Sequence, residues 1–172
     1  GRVVGLWRYP VKSMRGEALE QVEIDGRGVC GDRAYALWDH ATSRVASAKN
    51  PLVWKALLGY EACFTAPVLS EAPPPPVQIQ PVEAKQGGAE PENGQPMAPL
   101  RSDDPDLTER LSALLGRKLS LLDRPPAAAS LDQYWPPVEG RAYQNVVNEL
   151  VLPEGTFFDS CPIHAISTAT LD

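Results

Sequence analysis

Lys12-Ser13 and Gly31-Asp32-Arg33, about twenty residues apart, are residue types that could act together on one ligand. A lysine ammonium, a serine hydroxyl and an arginine fork meeting at adjacent strand ends would hold a phosphate, the arginine bidentately. The alternative is that both cations are solvated and that Arg33 pairs with a carboxylate such as Asp32 or Asp39. Within Thr42 to Lys49, the residues Ser43, Arg44, Ser47 and Lys49 could extend an anion site or simply form a polar hairpin turn. In the closing run from Phe157 to Thr168 a strand pattern feeds hydroxyls into a helix start. Such a start can bind an anion through its free N–H groups, or Ser167 and Thr168 can serve only as helix caps.

Cys161 and His164 invite a nucleophile or metal reading, but on a strand residues three apart point to opposite faces. Neither a second histidine nearby nor a cysteine pair completes a ligand set, so no metal ligand is assigned and no catalytic residue is identified. Trp7, Trp38, Trp54 and Trp135 read as packing residues rather than as a stacking platform.

The elements that must position these groups are mostly short strands. Residues 2–12 alternate as one long strand, and Pro10 implies a bend that frees Lys12 and Ser13 from regular pairing. Strand-like runs follow at Leu19–Ile24, Ala34–Trp38, Trp54–Leu58 and Tyr60–Ala66, punctuated by glycines. Several short strands at close spacing predict a barrel or sandwich. The tetraproline Pro73 to Pro76 opens a region, about 70–98, expected to be a mobile loop, with Val77–Val82 as an edge strand. One helix is predicted at 105–115: Asp104 caps it, Pro105 takes its first position, Leu107, Leu111, Leu114 and Leu115 form its stripe, and Gly116 ends it. Leu119–Leu122 reads as a strand, Arg124–Gly140 as a proline-rich linker, and Val146–Leu152 as a further strand followed by a Pro-Glu-Gly turn. No internal repeat is visible.

Composition bounds the rest. The chain has 172 residues, 43% hydrophobic and 22% charged, which is enough for one compact domain with the beginning of a second. No stretch approaches the roughly 18 apolar residues of a membrane-spanning helix. The net charge is −6, but residues 1–55 carry +3 and the remainder −9, so an anionic ligand is expected in the first third. Nucleic acid is not an expected partner of a chain without a basic surplus. Cys30, Cys63 and Cys161 fit neither a zinc motif nor a disulfide framework, and a reducing, cytoplasmic location is the simpler expectation. Opening at Gly1 and closing at Leu171-Asp172 in what reads as a first helical turn, the sequence reads as part of a longer one. Apolar strand residues from about Val146 on would then be uncovered, and the isolated chain is expected to associate or to be marginally stable.

Three runs carry a resemblance. Gly5 to Met14 (Gly-Leu-Trp-Arg-Tyr-Pro-Val-Lys-Ser-Met), Gly28 to Leu37 (Gly-Val-Cys-Gly-Asp-Arg-Ala-Tyr-Ala-Leu) and Ser47 to Pro51 (Ser-Ala-Lys-Asn-Pro) closely resemble the N-terminal β-barrel domain of MOSC proteins. These are relatives of the C-terminal domain of molybdenum cofactor sulfurase. Phe157 to Leu171 resembles the opening of the MOSC domain proper. The resemblance implies a β-rich α+β fold: a barrel-like N-terminal domain with one packing helix over 1–123, a linker at 124–140, and a truncated MOSC β-barrel from 141 to 172.

The nearest functional relatives implied are the mitochondrial amidoxime-reducing component and its bacterial counterparts. In that group the Lys-Ser pair and the arginine of Asp-Arg bind the terminal phosphate of a molybdopterin-type cofactor. By resemblance these are Lys12, Ser13 and Arg33, with Ser167 and Thr168 as further cofactor contacts. The family's metal-ligating cysteine would lie beyond Asp172. An oxidoreductase acting on N-hydroxylated compounds is implied, with electrons from a partner protein or an appended ferredoxin-like domain. The alternative is a carrier or sulfur-transfer domain without reductase activity. Pyridoxal phosphate belongs to a different domain of full sulfurases and is not expected here.

Overall fold

A computed structural model describes residues 1–82, 98–142 and 144–170. The strands are β1 (Leu6–Arg8), β2 (Glu17–Leu19), β3 (Ile24–Asp25), β4 (Gly28–Val29), β5 (Ala36–Asp39), β6 (Arg44–Val45), β7 (Tyr60–Phe64), β8 (Val77–Pro81), β9 (Leu100–Arg101), β10 (Leu119–Leu122), β11 (Ser130–Trp135) and β12 (Val146–Val151). The helices are α1 (Pro51–Trp54) and α2 (Leu107–Leu115), with 3-10 turns at Lys55–Gly59 and Thr168–Thr170. The strands form a five-stranded sheet in the order β10-β5-β6-β11-β12, a three-stranded sheet β7-β8-β9, and the pairs β1-β2 and β3-β4. The fold is β-rich α+β, and among the described residues no sheet closes into a barrel.

β5 divides the interior. Leu37 faces a large apolar cluster with Val11, Trp54, Leu57, Ile79, Leu100, Leu111 and Leu119, while its neighbour Ala36 faces a smaller one with Val45, Ala129, Leu131, Leu152 and Phe157. Successive strand residues point to opposite faces, so one strand serves both clusters. α2 closes the larger cluster through Leu107 and Leu111, as its apolar spacing predicts. Gly116 ends it at φ +64°, the left-handed conformation expected of a helix-terminating glycine.

Several local expectations are corrected. The long strand at 2–12 shrinks to β1, because Val3 and Val4 are both exposed and no partner strand reaches them. Leu19–Ile24 is not one strand but the end of β2 and the start of β3. Trp54–Leu58 is helical rather than extended: Pro51 occupies the first turn of α1, and a short apolar run reads equally well in either state. α2 begins two residues later than predicted, and the Asp104 carboxylate accepts from the Arg101 backbone N–H at 3.0 Å instead of capping the helix.

Val77–Val82 is not an edge. β8 lies between β7 and β9, with Val77 and Ile79 fully buried. The prolines flank its hydrogen-bonding residues and do not interrupt them, since Pro76 precedes the strand and Pro81 is its last residue. The tetraproline is anchored too: Pro75 O accepts from the Tyr35 hydroxyl at 3.2 Å, and Pro76 O accepts from the Thr65 backbone N–H at 2.9 Å. The expected mobile loop at 83–98 otherwise falls, but for Ala98, outside the described residues.

Arg124–Gly140 is more than a linker, because it contains β11, paired with β12 over six residues and touching β6 at Leu131 and Val45. β12 forms the outer edge of its sheet, with Val146, Val147 and Val151 exposed. The closing segment holds no strand, and its expected helix is a 3-10 turn, with residues 171 and 172 outside the described set.

A candidate anion site

The two motifs meet through their backbones. Arg33 N–H donates to Tyr9 O at 2.7 Å, Tyr35 N–H to Pro10 O at 3.0 Å, and Lys12 N–H to Tyr35 O at 2.9 Å, which lays 9–12 parallel to 33–35. The Tyr9 N–H donates to the Asp32 carboxylate at 2.7 Å, and this locks the turn before Arg33. The Lys12 N–H is thus tied to Tyr35 O, but the chain bends at Pro10 and both Lys12 and Ser13 lie in the turn after Val11, outside any regular strand, as Pro10 led one to expect. Ser13 and Arg33 both have positive φ, +66° and +47°. Such a backbone costs on the order of 1–2 kcal/mol in a residue with a Cβ, so it persists only where the surroundings impose it. Gly31, at φ +82°, must be glycine, because a Cβ there would come within 2.8 Å of the Phe64 ring.

Lys12 is 4% exposed. Its Nζ donates to Phe157 O at 2.6 Å and to Asp159 Oδ1 at 2.5 Å. Lys49 Nζ lies 3.5 Å from the other Asp159 oxygen. Burial pushes the Lys12 pKa down, against the pull of Asp159. Burial also opposes ionisation of Asp159, but the charges and hydrogen bonds of Lys12 and Lys49 outweigh it and hold that carboxyl below the usual range. Ser13 Oγ accepts from the Ala48 backbone N–H at 3.0 Å, which leaves its own proton to donate. The Ser47–Asn50 stretch is thereby fastened to the Lys12-Ser13 turn.

Arg33 forms an ion pair with Asp32, the partner anticipated in the simpler reading of that residue. Its guanidinium lies over Tyr9, 5.1 Å from the ring centroid, and near Phe158 at 5.9 Å. It also fronts a cavity of about 150 Å³ lined by Cys30, Gly31, Val68, Phe157 and Phe158 among others. That volume admits a small group but not a ligand needing the roughly 300–1,000 Å³ of an enclosing cleft.

Ser167 and Thr168 do not join this cluster. Both are exposed, and the Ser167 hydroxyl bonds that of Thr170 at 2.9 Å. Arg44, offered as an extension of the site, pairs instead with Asp132 and Glu149 on β11 and β12. Asp159 carried no signal in the sequence, since nothing local distinguishes it from any other surface carboxylate. The three cysteines are free thiols, and burial raises the pKa of Cys30 and of Cys63. Among the described residues no three His, Cys, Asp or Glu side chains cluster as a metal site.

The donor set suits an oxyanion. Lys12, Lys49 and Arg33 face Asp32 and Asp159, which leaves one net positive charge beside a free hydroxyl proton. Fold and cluster together define a β-rich domain that concentrates cations where two short motifs meet. Residues 1–70 match the family model of the MOSC N-terminal beta barrel domain. That family is associated with molybdenum-cofactor-related proteins. No curated protein and no solved structure matches it. Among the described residues no helix is long and apolar enough to cross a membrane.

Proposed function

We propose that this chain grips the terminal phosphate of a molybdopterin-type cofactor through Lys12, Ser13 and Arg33. The observation that carries this reading is the convergence of those three residues on a backbone ladder, inside the stretch matched by the MOSC family model. Lys12 contributes a positive charge from a fixed position, the Ser13 hydroxyl donates a proton, and Arg33 offers a planar fork held against Tyr9.

When bound, the cofactor supplies the redox chemistry of an oxidoreductase acting on N-hydroxylated compounds, with electrons from a partner protein or domain. The residues described here hold and orient it without reacting. The test is expression in a cofactor-producing host, with molybdenum and pterin counted per chain for wild type, Arg33→Ala and Lys12→Met. Bound cofactor that falls at least about tenfold in either variant, while the melting curve stays cooperative, supports the reading. A folded wild-type protein that retains no pterin overturns it.

A further inference from the structure

We infer that Asp159 is a displaceable counter-ion of the anion site, an internal carboxylate standing where a phosphate ester would bind. The inference rests on the reading of Lys12, Ser13 and Arg33 as a phosphate grip and adds a residue that competes with the ligand. The Asp159 carboxylate bridges Lys12 Nζ and Lys49 Nζ, at 2.5 and 3.5 Å, so it occupies both ammonium groups of the cluster. It is the group a tetrahedral oxyanion would most closely imitate: two oxygens on two cations, each bond charge-assisted.

Its position in the chain fits displacement. Phe157 and Phe158 are buried and anchor the backbone just before it, and Phe157 O bonds Lys12 independently of the carboxylate. From Ser160 to Thr170 every described residue is exposed. The Asp159 side chain is itself 32% exposed, so it can turn toward water while its backbone stays in place. Lys12 would keep its carbonyl partner and exchange the carboxylate for the incoming anion, leaving no ammonium buried without a counter-charge. The local charge points the same way. With Asp159 in place the cluster carries one positive charge, and with it withdrawn two, which matches a phosphate dianion.

Inorganic phosphate is the probe, titrated at constant ionic strength and followed by the amide resonances of Lys12, Ser13, Arg33 and Ala48. Asp159→Asn and Asp159→Ser both remove the competing charge and are expected to bind phosphate about tenfold or more tighter than wild type. Lys12→Met is expected to abolish the shifts. Wild-type binding that either Asp159 variant leaves equal or weaker overturns the inference while the anion site stands, and marks the carboxylate as a positioning residue. Shifts that persist unchanged in Lys12→Met, or no shift at these amides in any folded variant, overturn both the inference and the phosphate reading on which it rests.

Discussion

The two apolar clusters on either side of β5 differ in how they are built. The larger one takes its members from residues 11–119: the Val11 ladder, α1, the β7-β8-β9 sheet, and α2 with β10. The smaller has six buried residues and joins Ala36 and Val45 to Ala129, Leu131, Leu152 and Phe157, more than eighty residues further on. The first cluster is a foundation: Val11 and Tyr35 belong to it, so it holds the ladder on which Lys12, Ser13 and Arg33 are displayed. The second is a clasp, because Phe157 fastens the closing segment and with it brings Asp159 to Lys12. Global stability and the closing of the candidate anion site are therefore assigned to different interiors.

Substitutions that hollow out one interior at a time would test that division. The largest effect is expected from Leu111→Ala, which removes a fully buried side chain from the larger cluster. A loss of about 2–5 kcal/mol in chemical denaturation is expected, with phosphate affinity of the folded fraction unchanged. Phe157→Ala should cost less globally, roughly 1–3 kcal/mol, because the loss is capped by the free energy of releasing the clasp. Hydrogen exchange should then rise at Leu152 and Phe158 before it rises in α2. Equal acceleration in both places would show that the two clusters are one cooperative unit.

Asp39→Ala probes the strand that both share. The Asp39 carboxylate is buried, accepts from Ala41 N–H and the Thr42 hydroxyl, and pairs with Arg117 at 2.7 Å. Its removal is expected to cost about 2 kcal/mol by thermal melting, without changing which cluster opens first. Gly116→Ala isolates a backbone term, since open space surrounds the position and only φ +64° is penalised. A loss near 1 kcal/mol is expected, confined to unfolding of the α2 side.

The smallest effect concerns acid. Asp159 titrates below its unfolded value of about 3.9, so its stabilising contribution is present above that pH and is lost as pH falls through the lower folded value. Wild type should lose more stability than Asp159→Asn over that interval. The curves of the two proteins staying parallel would show that the carboxylate does not anchor the clasp.

Legibility in the sequence followed range. β10 appears at its predicted bounds, β7 and β12 nearly so, and α2 shows its apolar face and its glycine stop, because period and capping are local properties. Trp54–Leu58 misled for the same reason, since five residues of mixed apolar character do not separate strand from helix. The prolines around β8 suggest an edge strand from sequence alone, whereas the register keeps them away from its paired donors. β11 was hidden inside a proline-rich stretch, since its identity as a strand depends on β6 and β12 lying beside it.

At the candidate site, residue types and spacing offered Lys12, Ser13 and Arg33 as an anion-binding set beside the alternative of solvated or carboxylate-paired cations, the resemblance to MOSC proteins favoured the first, and the charge distribution pointed to the first third of the chain. Those are consequences of charge and of short motifs, which are written in the chain itself. Only the tertiary structure decided that Lys12 is buried, that Ser13 and Arg33 hold a left-handed backbone, and that Asp159, 147 residues from Lys12, closes the cluster. Ion pairing falls off within a few ångströms, and a partner so distant in sequence becomes one only when the apolar clusters have folded the chain back on itself.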